Sequence, residues 1–157
     1  MSDAHILHAP TSSIRRVARR FYIESVVTSG GMGTIYRAYD EGSGGLVALK
    51  LLHSAPTPDA TERFLREGGM LATVKHPAIV GYVDHGLEEQ GLPYLAMEWL
   101  EGEDLARRLS RGPLSVEESL SLLRATAKAL AVLHVHGIVH RDLKPSNLFL
   151  RNRSIEG

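Results

Sequence analysis

The sequence predicts an α+β chain in two parts, a five-stranded antiparallel sheet with one helix followed by a mainly helical segment. Three observations carry that expectation. Between residues 21 and 100, short runs rich in β-branched and aromatic residues recur, punctuated by glycines and charged turns. One helix-patterned stretch, TERFLREGGMLATV, interrupts them with Phe64, Leu65, Leu71 and Val74 at helical spacing. From about Asp104 the pattern becomes helical and stays so to about His136.

Composition narrows the function classes. At 157 residues the chain can bury a core of its own. Eighteen basic residues balance eighteen acidic ones, so no global field draws it to nucleic acid or an anionic membrane. The absence of cysteine excludes disulfides and thiol chemistry and suits a cytoplasmic setting. No apolar run approaches the ~18 to 20 residues that span a bilayer, and MSDAHILHAP lacks the apolar core of a secretory signal. The expected partners therefore include neither nucleic acid nor membrane.

Residues 1–19 read as a flexible extension, with Pro10, Thr11, Ser12 and Ser13 followed by a basic run of Arg15, Arg16, Arg19 and, at its border, Arg20. Arginines without interleaved aromatics read as a solvated lead-in rather than a nucleic-acid arm. Phe21 to Val27 forms the first expected strand, and Thr34, Ile35 and Tyr36 mark the second. The glycines between them, Gly30, Gly31 and Gly33, make a hairpin turn whose amides can lie over phosphates. No helix follows them and no Gly-Lys-Ser/Thr occurs, which excludes a dinucleotide fingerprint and a P-loop. Taken alone, they fit an ordinary hairpin equally well.

Leu46 to Leu52 is an apolar run broken only by Lys50, whose charge needs a partner or an edge position. In the following helix, Gly68 and Gly69 each cost about 1 kcal/mol relative to alanine, so fraying is expected there. Strands at 81–85 and 92–100 flank a turn containing Glu88, Glu89 and Gly91. Asp104 to Ser110 reads as a short helix closed by Gly112 and Pro113. Ser115 and Glu118 form a capping-box pattern that opens a long helix, with Leu120, Leu123, Ala127 and Leu130 on one face and Gly137 as its stop. His134, His136 and His140 lack the spacing and the acidic company of a zinc site.

The densest chemistry lies in His140 to Leu150, HRDLKPSNLFL. Asp142 can accept a hydroxyl proton, Lys144 can neutralise a transferring phosphate, and the Asn147 amide oxygen can ligate Mg²⁺. This stretch resembles the protein kinase family, whose catalytic loop reads H-R-D-L-x-x-x-N. The resemblance implies a kinase-like fold, with a small lobe and hinge at 20–101 and the beginning of a helical large lobe at 102–157. It also implies ATP and Mg²⁺ as cofactors and a protein serine or threonine as acceptor. VALK at Val47 to Lys50 is similar to the family's V-A-I-K, which makes Lys50 the phosphate-contacting lysine and Glu67 its helix partner, with Glu62 as the fallback. Gly30, Gly31 and Gly33 become the glycine-rich loop. Met97 takes the gatekeeper place, Glu98 and Leu100 offer backbone to the adenine edge, and Val27, Ile35, Ala48 and Phe149 sandwich the ring.

Lys144 and Pro145 resemble the serine/threonine form of the loop, and GGMG with HPAIV (His76, Pro77, Ile79 and Val80) resembles the eukaryotic-like bacterial branch. Arg141 beside Asp142 implies control by a phosphorylated activation loop. Two departures stand out. Thr28 occupies the place of the family's first loop glycine, at a cost of ~1–2 kcal/mol if positive φ is required there and merely stiffening the loop otherwise. After Leu150 only RNRSIEG follows, without D-F-G or A-P-E, so the large lobe is truncated and an apolar helix face is expected to be exposed. Two further readings stand beside the kinase: a non-catalytic remnant binding nucleotide or a partner, and an antibiotic-type small-molecule phosphotransferase. Lys144 argues against the second.

Overall fold

A computed structural model describes residues 15–31, 33–54, 57–152 and 155. Its main sheet contains β1 (Arg16–Val17), β2 (Phe21–Ser29), β3 (Gly33–Asp40), β4 (Gly45–Leu52), β5 (Tyr82–Leu87) and β6 (Pro93–Glu98). The strand order is β1-β2-β3-β4-β6-β5 and every neighbouring pair is antiparallel. Helix α1 (Pro58–Leu71) connects β4 to β5. Beyond the sheet come β7 (Gly102–Asp104), α2 (Leu105–Leu109), α3 (Val116–Val135), a 3-10 turn at Pro145–Asn147 and β8 (Phe149–Arg151). β8 pairs with β7 in a separate two-stranded sheet.

The five expected strands are present, and β1 adds a sixth. The solvated lead-in expected up to Arg19 therefore gives way to ordered sheet by Arg16, while residues 1–14 lie outside the described residues. The chain reverses through left-handed Ala18 and Arg19 (φ +50° and +53°), closed by the Arg20 N–H donating to the Val17 carbonyl at 3.1 Å. That turn drives Val17, 1% exposed, into the core beside Phe21. A two-residue strand has no periodicity to read, so only packing reveals it.

Strand period explains the core. Val47, Leu49 and Leu51 alternate inward on β4 and join Val17, Phe21, Ala38, Tyr94 and Ala96 in one cluster. Burying side chains of this size contributes roughly 1.5–3 kcal/mol each. Ala48 and Lys50 take the intervening positions, so Lys50 lies half-buried on the opposite face and its charge stays out of that core. Arg20 ties the sheet end together, with Nε and Nη2 donating to Asp40 at 2.6 and 2.8 Å and Nη1 donating to Asp84 at 3.0 Å.

Helix α1 starts at a Thr57 cap, with Pro58 in its first turn, and continues through both glycines to Leu71. The helix runs unbroken through Gly68, which is buried against the ring of His85. Helix α3 opens with the expected capping box, Ser115 to Glu118 in both directions, and stops at Gly137, where φ is +72°. Only Ala129 and Leu133 of α3 are buried, whereas Leu123 is 63% and Val135 86% exposed. The apolar face expected to be exposed is exposed.

Candidate active site

Antiparallel register builds one face of the site. Ile35 of β3 lies opposite Lys50 of β4, which lies opposite Leu95 of β6 and then His85 of β5. The neighbouring row runs Arg37, Ala48, Met97, Tyr82. Ile35, Ala48, Lys50 and Met97 thus share a single face, because directly opposed residues in an antiparallel pair project to the same side. Val27 stands at a β-bulge in β2 and is 50% exposed.

The turn over this face is closed by the Gly30 N–H donating to the Gly33 carbonyl at 3.0 Å. Gly33 is demanded by close approach: a Cβ there would lie 2.6 Å from the Leu51 carbonyl oxygen. Gly30 and Gly31 face open space. Thr28 pairs with Ile35 and is not among the left-handed residues, so its replacement of a glycine carries no such strain.

Lys50 and Glu67 are not joined. Glu67 is exposed on α1, and neither it nor Glu62 lies within the 4.0 Å of an ion pair with Lys50. At the end of β6, the Glu98 N–H donates to the Gly81 carbonyl at 2.8 Å, which leaves the Glu98 carbonyl as the backbone group it can offer a ligand. The Glu98 carboxylate accepts from the Gly81 N–H at 2.8 Å and pairs with Arg151 of β8, linking the two sheets. Leu100 follows beyond the ladder. What holds the neighbouring Trp99 has no signal along the chain. Its indole N–H donates to Glu101 at 2.8 Å, and the Arg37 guanidinium lies 5.4 Å over its ring. Arg37 in turn approaches Glu24 at 3.0 Å. Arg37 lies far from Trp99 in sequence, so only the tertiary fold brings the guanidinium over that ring.

The loop after α3 gathers its three polar side chains tightly. Lys144 Nζ lies 2.8 Å from Asp142 Oδ2, and Asn147 Nδ2 donates to the same oxygen at 3.0 Å and to the Asp142 carbonyl at 2.7 Å. The Asp142 N–H donates to the His140 carbonyl at 2.8 Å, while Arg141 adopts φ +60° to make that bend. A non-glycine residue in that region costs about 1–2 kcal/mol. The Leu105 N–H donates to the Leu148 carbonyl at 2.8 Å, and β8 on β7 fixes the far end of the loop. The Lys144 bond first, and the Asn147 bond next, hold the Asp142 carboxyl below the ordinary carboxylate range. Asp142 and Lys144 are half-exposed and open to a substrate.

Phe149 of β8 is 43% exposed beside this loop. A largely apolar cavity of about 800 Å³ opens on its other side, between α1, the 77–80 segment, α3 and the loop. Glu67, Leu71, Leu133, Asn147 and Phe149 contribute to its walls; Lys50 does not.

Comparison with known proteins accords with this arrangement. The protein kinase domain family matches residues 21–155. The serine/threonine-protein kinase pkn2 of Myxococcus xanthus is 43% identical over 133 residues, covering 83% of this chain and 16% of that protein. The serine/threonine-protein kinase PknA of Mycobacterium tuberculosis is 36% identical over 138 residues, 83% of this chain and 32% of that protein. The chain therefore spans less than a third of either curated relative. The crystal structure of the M. tuberculosis PknI kinase domain superposes with a TM-score of 0.82 at 29% identity, covering 90% of this chain and 58% of that one.

Proposed function

The chain belongs to the protein kinase family, and from that premise we propose that its loop serves ATP-dependent phosphoryl transfer to serine or threonine hydroxyls of a protein. The observation that carries this reading is that Lys144 and Asn147 both reach the same Asp142 carboxylate oxygen, at 2.8 and 3.0 Å. Asp142 orients the acceptor hydroxyl and takes its proton as the bond to phosphorus forms. Its depressed basicity makes it an orienting group first and a proton acceptor late in the step. Lys144 neutralises charge on the transferring phosphoryl group. Lys50 contacts the α- and β-phosphates, and Gly30, Gly31 and Gly33 lay backbone over them.

The donor set suits Mg²⁺. Asn147 turns its Nδ2 toward Asp142, which frees its carboxamide oxygen, a hard ligand, for the ion. When bound, Mg²⁺ would screen phosphate charge. The adenine is assigned to Val27, Ile35, Ala48 and Phe149, beside Met97 and the backbone of Glu98 and Leu100. A cytoplasmic setting belongs to the same reading; among the described residues no helix is long and apolar enough to cross a membrane.

A second reading, nucleotide binding without turnover, draws on the unmade Lys50–Glu67 pair. Incubation of the purified native protein with Mg-ATP and a serine/threonine peptide pool separates the two. The kinase reading expects phosphoserine or phosphothreonine that disappears in Asp142→Asn. ATP binding with no transfer to any acceptor favours the second reading, and modification of aminoglycosides but no protein hydroxyl overturns the protein-substrate assignment.

A further inference from the structure

Helix α1 meets the sheet at an interlocked contact. Nε2 of the half-buried His85, on β5, lies 2.8 Å from the Leu65 carbonyl of α1. A carbonyl can only accept, so Nε2 carries the proton and donates. Nδ1 lies 2.6 Å from the Tyr82 hydroxyl, which donates to it when the ring is neutral. Tyr82 also packs edge-on against the ring, centroids 5.6 Å apart. Gly68 presses on the same imidazole from α1. A Cβ at Gly68 would lie 2.4 Å from Cδ2 and 2.6 Å from Cγ, so the ring occupies space that any other residue would need.

The contact lies close to the chemistry. His85 and Lys50 belong to the one cross-strand row, two strands apart and hence about 10 Å at the usual strand spacing. Glu67 immediately precedes Gly68 on the helix. A change in how deeply the His85 ring enters α1 would therefore move the residue next to Gly68, which is Glu67. With that pair open in the structure, the His85 bond to the Leu65 carbonyl ties α1 to the sheet within three residues of Glu67.

We propose that His85 and Gly68 form a matched seat for α1, a positioning pair that governs whether Glu67 reaches Lys50. The catalytic consequence rests on the kinase reading; the seat does not. Gly68→Ala is expected to lift α1, and the second substitution in Gly68→Ala/His85→Ser to make room and restore it. The chain has no cysteine, so spin labels at Arg63→Cys on α1 and Gln90→Cys in the β5–β6 turn report the helix-to-sheet distance cleanly. The distance should lengthen in Gly68→Ala and return in the double variant. Should Gly68→Ala fail to fold, His85→Ser alone should broaden the distribution by losing the bond to Leu65.

In the native protein, Gly68→Ala should lower kcat/KM by on the order of 10²-fold, since small misplacements cost that much, with recovery in the double variant. In a Glu67→Gln background, Gly68→Ala should cost nothing further, which a merely structural effect would not reproduce. An unchanged distance in both Gly68→Ala and His85→Ser, or no recovery in the double variant, overturns the proposal. Activity loss that persists undiminished in the Glu67→Gln background overturns the link to Glu67. Distances that behave as expected, in a protein that transfers no phosphate, uphold the seat and sink the kinase reading instead.

Discussion

Replacing Asp40 with alanine should be among the most damaging single changes to the sheet. Its side chain is fully buried and accepts four hydrogen bonds, from Arg20 Nε (2.6 Å), Arg20 Nη2 (2.8 Å), the Gly42 N–H (2.9 Å) and the Ser43 N–H (3.3 Å). Removal leaves two turn amides and a guanidinium without their main acceptor. Breaking a fully buried pair costs about 3–5 kcal/mol. Here the Arg20 side chain is 35% exposed and keeps Asp84, so water and that second carboxylate reduce the loss to about 2–3 kcal/mol. Urea unfolding, followed by the tryptophan and by circular dichroism, measures it as a fall in midpoint at constant slope. A loss below about 1 kcal/mol would refute the reasoning, because the pair would then be no better than a surface one.

The same residue carries a pH signature. The Arg20 hydrogen bond, above all, holds the Asp40 carboxyl far below the ordinary carboxylate range, against the opposing effect of its burial. The unfolded chain takes up this proton near pH 4 and the folded chain only at much lower pH. Its contribution is therefore fully present above about pH 4 and is lost as pH falls toward the folded value, where the unfolded state binds more protons. Asp40→Asn should flatten that acid limb.

Three further outcomes are expected. Asp142→Asn in the native protein should reduce phosphoryl transfer by on the order of 10²–10⁴-fold with ATP affinity retained, read by steady-state kinetics beside calorimetric binding; retained turnover would remove Asp142 from its role. Lys144→Ala should raise the Asp142 carboxyl toward the ordinary carboxylate value, followed by NMR titration of its side-chain carbon, since Lys144 is the chief cause of the depression. Ser115→Ala should cost about 1 kcal/mol by removing the oxygen that receives the Glu118 N–H at 3.1 Å; thermal melting detects it, and an unchanged midpoint would mean that α3 does not share in the cooperative unfolding.

Sequence alone determined whatever depends on neighbours along the chain. The apolar run LVALKLL announced β4 with its single lysine, and Ser115 with Glu118 announced the start of α3 at the observed cap. HRDLKPSN placed a carboxylate, an ammonium and an amide close enough that a short loop must bring them together. Tertiary structure decided what depends on elements distant in sequence. Val17 entered the core through a turn with no periodic signal, and Arg20 proved to be the partner of Asp40 and Asp84 rather than a free cation. Gly68, read locally as a helix-breaking cost, is a space left for His85 from another strand. Glu67 could be named as the partner of Lys50 by resemblance, yet their separation depends on how α1 sits on the sheet. Propensity acts over three or four residues, whereas that seat is set by a ring and a glycine brought together only when the sheet closes.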